Sequence, residues 1–311
     1  MPTLKEIKGR IGSVRGTLKI TSAMKLVSSA KLRKAQKATE AMRPYEAKLQ
    51  EMLAAVRGPA AADVFAVESS ATEGRTTPSV ANNKADAPSG VAASPAAIVA
   101  IASNSSLCGG FNANVVAKVR SVRQDGDTVY SIGRKMADAM RRDGFLSPED
   151  FSALSENPSY APAAALAERL RQDFAEGRIG RVLLVYTHFV STAKQVPVVE
   201  VLLGGGKDAF SVAEKKADAP ENASLPAADY ILEPSRKALL EALEPKLLKL
   251  KLYAALLDSA AAEHAARTVA MQTATDNGEK LLQELTLQYN KGRQQKITSE
   301  ILDLAGGQAQ E

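Results

Sequence analysis

The strongest constraint on the fold of this chain is a heptad repeat that runs through its C-terminal quarter. Between residues 234 and 305, apolar or small side chains recur at alternating steps of three and four residues in one register. A repeat kept that long is typical of a coiled coil or a long bundle helix, because an ordinary globular helix has only about 8–20 residues. The members of this frame are Leu240, Leu243, Leu247, Leu250, Ala254, Leu257, Ala261, His264, Thr268, Met271, Thr275, Gly278, Leu282, Leu285 and Tyr289.

This C-terminal helix should be far longer than a compact domain needs. Pro245 is expected either to kink it or to mark its true start, since proline cannot donate the helical N–H bond. The continuous part, from about residue 246 to about residue 304, would be roughly 90 Å long at 1.5 Å per residue. It becomes polar around residues 293–295 and then ends on Ile301, Leu302 and Leu304.

A second long helix is predicted at the N-terminus, over residues 3–57. Its seam starts with Leu4, Ile7, Ile11, Val14 and Leu18, again at alternating steps of three and four. Thr3 and Glu6 have the spacing of a capping box, in which each side chain accepts a hydrogen bond from the other residue's N–H.

Between the two helices, the pattern predicts a separate α/β domain at 96–232. Short apolar runs at 96–103, 128–133, 181–190 and 196–203 are predicted to be strands. Helical stretches at 111–123, 134–145 and 162–177 are predicted to separate them. Strands alternating with helices favour a parallel or mixed sheet with helices on its faces. The last two strands could instead form an antiparallel hairpin.

Two stretches lack any sustained period. Residues 58–95 are rich in Ala, Ser, Thr, Pro, Gly and Asn, and we predict a low-complexity, disordered insertion there. Residues 204–225 are predicted to be a second irregular loop. The domains expected are therefore 1–57, 58–95, 96–232 and 233–311. Because the α/β domain reverses the chain, the two terminal helices can pair as an antiparallel coiled coil.

The sequence offers no convincing catalytic constellation. The stretch "LGGGKDAF" lacks the spacing of a phosphate-binding P-loop, and a turn is the simpler interpretation. The turn "SLCGGFNAN" lies between a predicted strand and helix, where ligand sites often occur, but close packing explains its glycines equally well. His188 and His264 are the only histidines and Cys108 is the only cysteine. We therefore expect no metal, no cofactor and no direct small-molecule substrate.

The N-terminal helix also carries a run of cations. Such a run is either a solvated helix face or a surface for an acidic partner. Interleaved aromatic residues, which nucleic-acid binding would favour, are absent before Tyr45, so no nucleic-acid partner is expected. The run comprises Lys5, Lys8, Arg10, Arg15, Lys19, Lys25, Lys31, Arg33, Lys34 and Lys37.

Both ends of the chain resemble a known family. "LKEIKGRIGSVRGTLKITSAMKLVSSAKLRKAQ" and "SAAAEHAARTVAMQTATDNGEKLLQELTLQYNKGRQQKITSEILDLAGG" are similar to the gamma subunit of the F-type ATP synthase. In the middle, "LCGGFNAN", "IGRK", "FVSTAKQVPVVEVLL" and "YILEPSRKALLEAL" resemble its central, Rossmann-like domain. The chain departs from the family pattern at Gln308, where alanine is usual. It also departs at "SNSSLCGG", where the family usually has Ser-Asp-Arg/Lys-Gly before Leu-Cys-Gly-Gly.

The resemblance implies a non-catalytic rotor shaft that couples proton or sodium flow to ATP synthesis and hydrolysis in the beta subunits. The implied partners are three alpha and three beta subunits, the epsilon subunit and the membrane c-ring. The implied location is peripheral, at the cytoplasmic face of a bacterial inner membrane. It also implies beta-subunit contacts at Met24, Lys25, Arg293, Gln294, Thr298 and Glu300, and a bearing tip at Ile301, Leu302 and Leu304.

Two other interpretations follow from the residues alone. One is an α/β enzyme with helical arms that oligomerise, which should carry a substrate motif at a strand end. The other is a structural or nucleic-acid-binding coiled-coil protein, which should self-associate or bind nucleic acid in a salt-sensitive manner.

Overall fold

A computed structural model describes residues 3–57, 95–204, 233 and 235–307, without the side chains of residues 54, 57 and 303–307. Two long helices enclose a small α/β domain, as the sequence predicts. The elements are α1 Leu4–Arg57, β1 Ala96–Ile101, α2 Phe111–Val122, β2 Thr128–Ile132, α3 Arg134–Arg142, α4 Ser152–Glu156, α5 Tyr160–Ala175, β3 Arg181–Phe189, β4 Gln195–Leu203 and α6 Arg236–Gly307.

The terminal helices form the predicted antiparallel coiled coil. Leu4 packs against Gly292, where an added methyl carbon would lie 3.3 Å from its Cδ2 atom. Leu18, fourteen residues later in α1, packs against Gly278, fourteen residues earlier in α6. Because the two contacts are fourteen residues apart in both helices, the antiparallel register is constant between them. At the start of α1, Thr3 and Glu6 form the predicted capping box, with N···O distances of 3.0 and 3.3 Å.

The contacts along the coiled coil change in character from the free end toward the domain. Near the free end, Ile7 and Ile11 of α1 bury an apolar cluster with Leu285 of α6. Further in, the hydroxyls of Thr21 and Thr275 form a buried hydrogen bond of 3.0 Å. Each hydroxyl also contacts a carbonyl oxygen of its own helix, Thr21 that of Leu18 and Thr275 that of Met271, so this polar layer is fully paired.

The sheet of the α/β domain is mixed. Its strand order is β2-β1-β3-β4, with β1 parallel to both β2 and β3. Strands β3 and β4 form the antiparallel hairpin that the sequence left as an alternative. One face of the sheet packs on α5 and on the domain-proximal ends of α1 and α6, and the other packs on α2 and α3. The base of the shaft is therefore part of the domain's core.

Pro245 does not mark the start of the C-terminal helix. Helix α6 already begins at Arg236 and continues through the proline. The missing N–H bond is tolerated there because Leu243, Leu247 and Leu248 on either side are buried in the main core. Apolar packing thus outweighs the local preference of one residue.

The helices of the domain also differ from the prediction in detail. The structure adds the short helix α4, which the sequence analysis missed because five residues carry no clear period. Helix α3 ends at Arg142 rather than near residue 145, because Gly144 adopts a positive φ of 86°. Helix α5 starts two residues earlier than predicted, at Tyr160.

The glycine of the "IGRK" motif is required by its position. Gly133 has φ of 98°, and a methyl carbon on it would lie 2.2 Å from the carbonyl oxygen of Ala102. Only glycine fits a backbone that turns with positive φ so close to another strand's carbonyl.

The predicted insertion at 58–95 lies outside the described residues, apart from residue 95, and so does the predicted loop at 204–225, apart from Gly204. The four domain boundaries therefore remain predictions. Within the part of the chain that the structure covers, none of the helices is both long and apolar enough to span a lipid bilayer.

Candidate functional site

The last part of α6 extends beyond its partner helix. Leu4, at the start of α1, packs against Gly292, and α6 continues to Gly307. At 1.5 Å per residue, the fifteen residues from Arg293 to Gly307 project by about 22 Å. Every side chain from Arg293 to Leu302 is exposed. This unpaired helix end, residues 293–307, is called the overhang below.

Four polar residues predicted to contact a partner, Arg293, Gln294, Thr298 and Glu300, lie in the overhang and make few contacts within the chain. Thr298 Oγ1 donates to the carbonyl oxygen of Gln294 at 2.9 Å, within the helix itself. Glu300 lies 3.7 Å from Lys296, and both side chains are mostly exposed. Exposed pairs of this kind contribute only about 0.3–0.5 kcal/mol. These side chains are therefore available to an external partner at little cost to the fold.

The overhang also exposes large apolar side chains. Ile301 is 59% exposed and Leu302 is 64% exposed. Ile297 is about half exposed and was not predicted as part of the tip. Because residues four apart lie on one face of a helix, its spacing from Ile301 could have shown that the two share a face. Leu304 lies in the helix, but its side chain is outside the described residues. A group of apolar side chains left in solvent is typical of a surface that another protein covers.

The helical period arranges these residues by type around the overhang. At 100° per residue, the Ile297–Ile301 strip lies between two polar borders. Arg293 and Glu300, seven residues apart, share one border. Gln294 and Thr298, four residues apart, share the other. The overhang therefore presents different chemistry in different directions around its axis.

Met24 and Lys25 form a second, separate location. They lie opposite Gln272 on the coiled coil, about 30 Å along the axis from Arg293. Lys25 Nζ donates to Gln272 Oε1 at 2.9 Å, and Gln272 Nε2 donates in turn to Asp276 Oδ1 at 2.7 Å. Met24 is half-buried. The structure thus does not bring the two sets of predicted contact residues together.

An exposed apolar strip surrounds Met24. Ile20 and Val27 are both more than half exposed, and with Met24 they follow the spacing i, i+4, i+7 on one face of α1. The sequence analysis did not identify this strip, although the spacing was visible. Within the described residues, none of the ten cations from Lys5 to Lys37 forms an ion pair. Two of them interact within the chain in other ways, since Lys25 donates to Gln272 and Lys31 lowers the pKa of Glu263.

Asn104 and Ser105, which replace the acid and base of the family pattern in "SNSSLCGG", both make hydrogen bonds. Asn104 Oδ1 accepts the N–H of Arg134 at 3.0 Å, and its Nδ2 donates to the carbonyl oxygen of Ser152 at 2.8 Å. An ionised aspartate could not make the second bond, because it has no donor. Ser105 Oγ accepts from Arg267 Nη2 at 3.0 Å and so ties this loop to α6.

Two buried polar clusters join the domain to the shaft. In the first, Asp258 of α6 accepts the N–H of Phe189 at 3.2 Å and lies 2.5 Å from His188 Nδ1. In the second, Arg267 pairs with Glu263 at 2.7 Å beside His264. Burial, with a smaller contribution from the positive charges nearby, lowers the pKa of His264 to about 4. His264 is therefore neutral at physiological pH and fits the packing role that its place in the heptad frame predicts.

Comparison with known sequences identifies one family over almost the whole chain. The sequence model of the family described as "ATP synthase" matches residues 3–309. The ATP synthase gamma chain of Phocaeicola vulgatus is 43% identical over 314 residues, which cover 99% of each chain. That of Bacteroides thetaiotaomicron is 44% identical over 318 residues, which cover 100% of each chain.

Solved structures share the fold at lower sequence identity. A chain of the Euglena gracilis mitochondrial ATP synthase, described as "OSCP/F1/c-ring, rotational state 3", has a TM-score of 0.63 at 19% identity, covering 98% of this chain and 93% of its own. A chain of the Tetrahymena thermophila mitochondrial ATP synthase, described as "central stalk/cring", has a TM-score of 0.54 at 20% identity, covering 82% of this chain and 99% of its own.

Proposed function

The chain belongs to the family of ATP synthase gamma chains, and on that premise we propose that it is the central rotor shaft of an F-type ATP synthase. As the shaft, it couples proton or sodium flow through the membrane sector to ATP synthesis and hydrolysis in the beta subunits. ATP is made and hydrolysed there, and the proposal assigns no catalytic residue, cofactor or metal to this chain.

The observation that carries the proposal is the overhang of α6. A shaft that turns inside a ring needs an end that slides, and a tip of exposed apolar side chains has no fixed polar partner to break at each step. Ile301 and Leu302 supply such a tip, and Leu304 extends it in sequence. The coiled coil behind it supplies stiffness over many turns.

The polar borders of the overhang contact the beta subunits in this proposal. Arg293, Gln294, Thr298 and Glu300 form bonds that are made and broken as the shaft turns, so each must be weak. Exposed ion pairs and hydrogen bonds of up to about 1 kcal/mol meet that need, whereas a buried ion pair would be costly to separate. Met24 and Lys25 form the other beta contact, where the cation-rich α1 meets an acidic surface.

Rotation can change the beta subunits only if the shaft differs around its axis. A partner shifts a conformational equilibrium only through contacts that differ between the two states. The overhang meets this condition because its apolar strip and its two polar borders point in different directions. Three alpha and three beta subunits around one shaft would then each meet a different face at any moment.

The domain end of the shaft contacts the epsilon subunit and the membrane c-ring in this proposal. The solved structures that share the fold come from assemblies described with a c-ring or as "central stalk/cring", which supports this placement. The chain is then a peripheral subunit at the cytoplasmic face of a bacterial inner membrane. No nucleic acid and no small-molecule substrate bind it directly in this role.

The replacement Arg293→Ala tests the beta contact in the assembled complex. We expect ATP synthesis in membrane vesicles to fall about two- to five-fold, as the loss of roughly 0.5–1 kcal/mol of contact energy implies. The fold should remain intact, because Arg293 is exposed and has no partner among the described residues.

Lys280→Ala is the matched control, since Lys280 is an exposed cation of the same helix within the paired region. It should leave ATP synthesis unchanged. Equal rates for wild type and Arg293→Ala would argue against the assigned contact.

A further inference from the structure

A polar cavity lies where α1 crosses the hairpin β3–β4 and α6. It has a volume of about 170 Å³ and no role in the rotor proposal. Seven of its twelve lining residues carry an ionisable side chain, so the packing of the three elements here depends on charge as well as on apolar contact. These seven are Arg43 and Glu46 of α1, Tyr186, His188 and Glu200 of the hairpin, and Lys251 and Asp258 of α6.

The charges around this cavity do not balance while every carboxyl is ionised. Three carboxylates, one each from α1, β4 and α6, lie with two cations, Arg43 and Lys251. His188 is the remaining basic group, and its Nδ1 atom lies 2.5 Å from Asp258 Oδ2. A neutral His188 leaves one negative charge in excess. One proton bound by the cluster would remove that excess.

Hydrogen bonding indicates which carboxyl binds the proton at the lowest cost. Glu200 Oε1 accepts the hydroxyl of Tyr186 at 2.9 Å, and Asp258 Oδ1 accepts a backbone N–H from the end of β3 at 3.2 Å. Glu46 Oε1 accepts from Gln50 Nε2 at 3.4 Å, which is longer than the usual range of about 2.7–3.2 Å. Hydrogen bonds to a carboxylate favour its charged form. The more weakly bonded Glu46 is therefore the carboxyl most open to protonation.

The surroundings of Glu46 act in the same direction. Burial raises the pKa of the Glu46 carboxyl above its ordinary value of 4.5. The negative charges of Glu200 and Asp258 raise this pKa further, and the attraction of Lys251 and Arg43 does not cancel the effect.

A raised pKa in the folded state fixes the sign of the effect on stability. As the pH falls, the folded protein binds this proton before the unfolded chain does. The contribution of Glu46 to packing is therefore complete below pH 4.5 and is lost as the pH rises through the raised pKa.

The charge of Glu46 acts on the contact between shaft and domain, because the groups around it belong to α1, the hairpin and α6. We propose that Glu46 is a proton-dependent contact that loosens the packing of α1 on the hairpin and α6 when ionised and tightens it when protonated. The next turns of α1 are held by Leu49 and Leu53 in the main core, so we expect a local effect. The inference does not depend on the rotor function.

Hydrogen exchange of the full chain at pH 7.5 and pH 4.5 tests the contact, read at the amides between residues 42 and 50. The variant is Glu46→Gln, which keeps the shape of the side chain and is neutral at both pH values. The ratio of its protection factors to those of the wild type should be about three-fold or more larger at pH 7.5 than at pH 4.5. Other groups that titrate in this range, such as His264, are common to both proteins and cancel in the ratio.

Glu40→Gln is the matched control, because Glu40 is an exposed carboxylate of the same helix. Its ratio to the wild type should be the same at both pH values. The effect of Glu46→Gln should also persist in a His188→Gln background, and its loss there would place the proton on His188 and overturn the assignment.

A carbon-13 NMR titration of the Glu46 carboxyl in the wild type needs no variant, and its midpoint should lie above pH 4.5. A midpoint at or below that value would overturn the proposal. So would a Glu46→Gln ratio that does not change with pH. Neither result would affect the rotor proposal, which is measured by ATP synthesis.

Discussion

At the scale of single residues, the most informative position is His264. Burial and the positive charges of Arg267 and Lys31 lower its pKa from 6.5 to about 4. The same arginine pairs with Glu263, whose own pKa burial raises. A base whose pKa is lower in the folded state than in the unfolded state destabilises the fold as the pH falls. The unfolded chain binds the proton first, and this shifts the equilibrium toward unfolding. His264 therefore makes the fold lose stability between pH 6.5 and about 4.

Replacing His264 with glutamine should remove this part of the pH dependence. Urea unfolding of the full chain, measured at intervals from pH 7.5 to pH 4.5, should give a shallower decline for His264→Gln than for the wild type. Glu263 opposes this decline, because its raised pKa makes the folded state bind the proton first, and its contribution and those of other groups would be common to both proteins. If the free energy of unfolding fell equally with pH in both proteins, His264 would not cause the loss of stability in acid.

At the scale of elements, the coiled coil was the part most open to sequence reasoning. The heptad frame correctly predicted both long helices. Their antiparallel pairing followed from the α/β domain between them, which reverses the chain. The start of α6 was not predictable from local propensity, since packing of Leu243, Leu247 and Leu248 carries the helix through Pro245. The short helix α4 was missed because five residues cannot show a period.

The seam of the coiled coil can be tested with two leucines of α6. Leu285 is 6% exposed and packs on Ile7 and Ile11, whereas Leu287 is 72% exposed. We expect Leu285→Ala to cost about 2–4 kcal/mol of stability at the free end of the coil. The change Leu287→Ala should stay within about 0.5 kcal/mol.

Hydrogen exchange of the amides at 5–15 would measure both variants. Leu285→Ala should accelerate exchange there, because Ile7 and Ile11 of α1 lose a buried contact with α6. Similar exchange in the two variants would mean that Leu285 does not hold this end of the shaft.

At the scale of the whole molecule, the contact roles assigned to both sites stay predictions, and the sequence revealed only part of the exposed apolar surface. Ile301 and Leu302 are exposed because they lie near the end of α6, where that helix extends beyond α1. Ile297 and the strip at Ile20 and Val27 were missed, because exposure depends on which face the partner helix covers.

The proposed rotor role makes a different demand on each end of the shaft. The domain must hold the base of the shaft firmly, and the main core that joins α5, the sheet, α1 and α6 does so. The far end must stay free, and the overhang leaves the side chains from Arg293 to Leu302 in solvent. The asymmetry that coupling needs lies around the axis of the overhang, in its apolar strip and two polar borders.

The most direct test is the ATPase activity of the matching alpha and beta subunits, measured with and without this chain. The rotor account predicts robust hydrolysis only when the chain is added, in complexes with one copy per three alpha–beta pairs. Failure to assemble, or hydrolysis of ATP by the chain alone, would contradict it and return attention to an α/β enzyme.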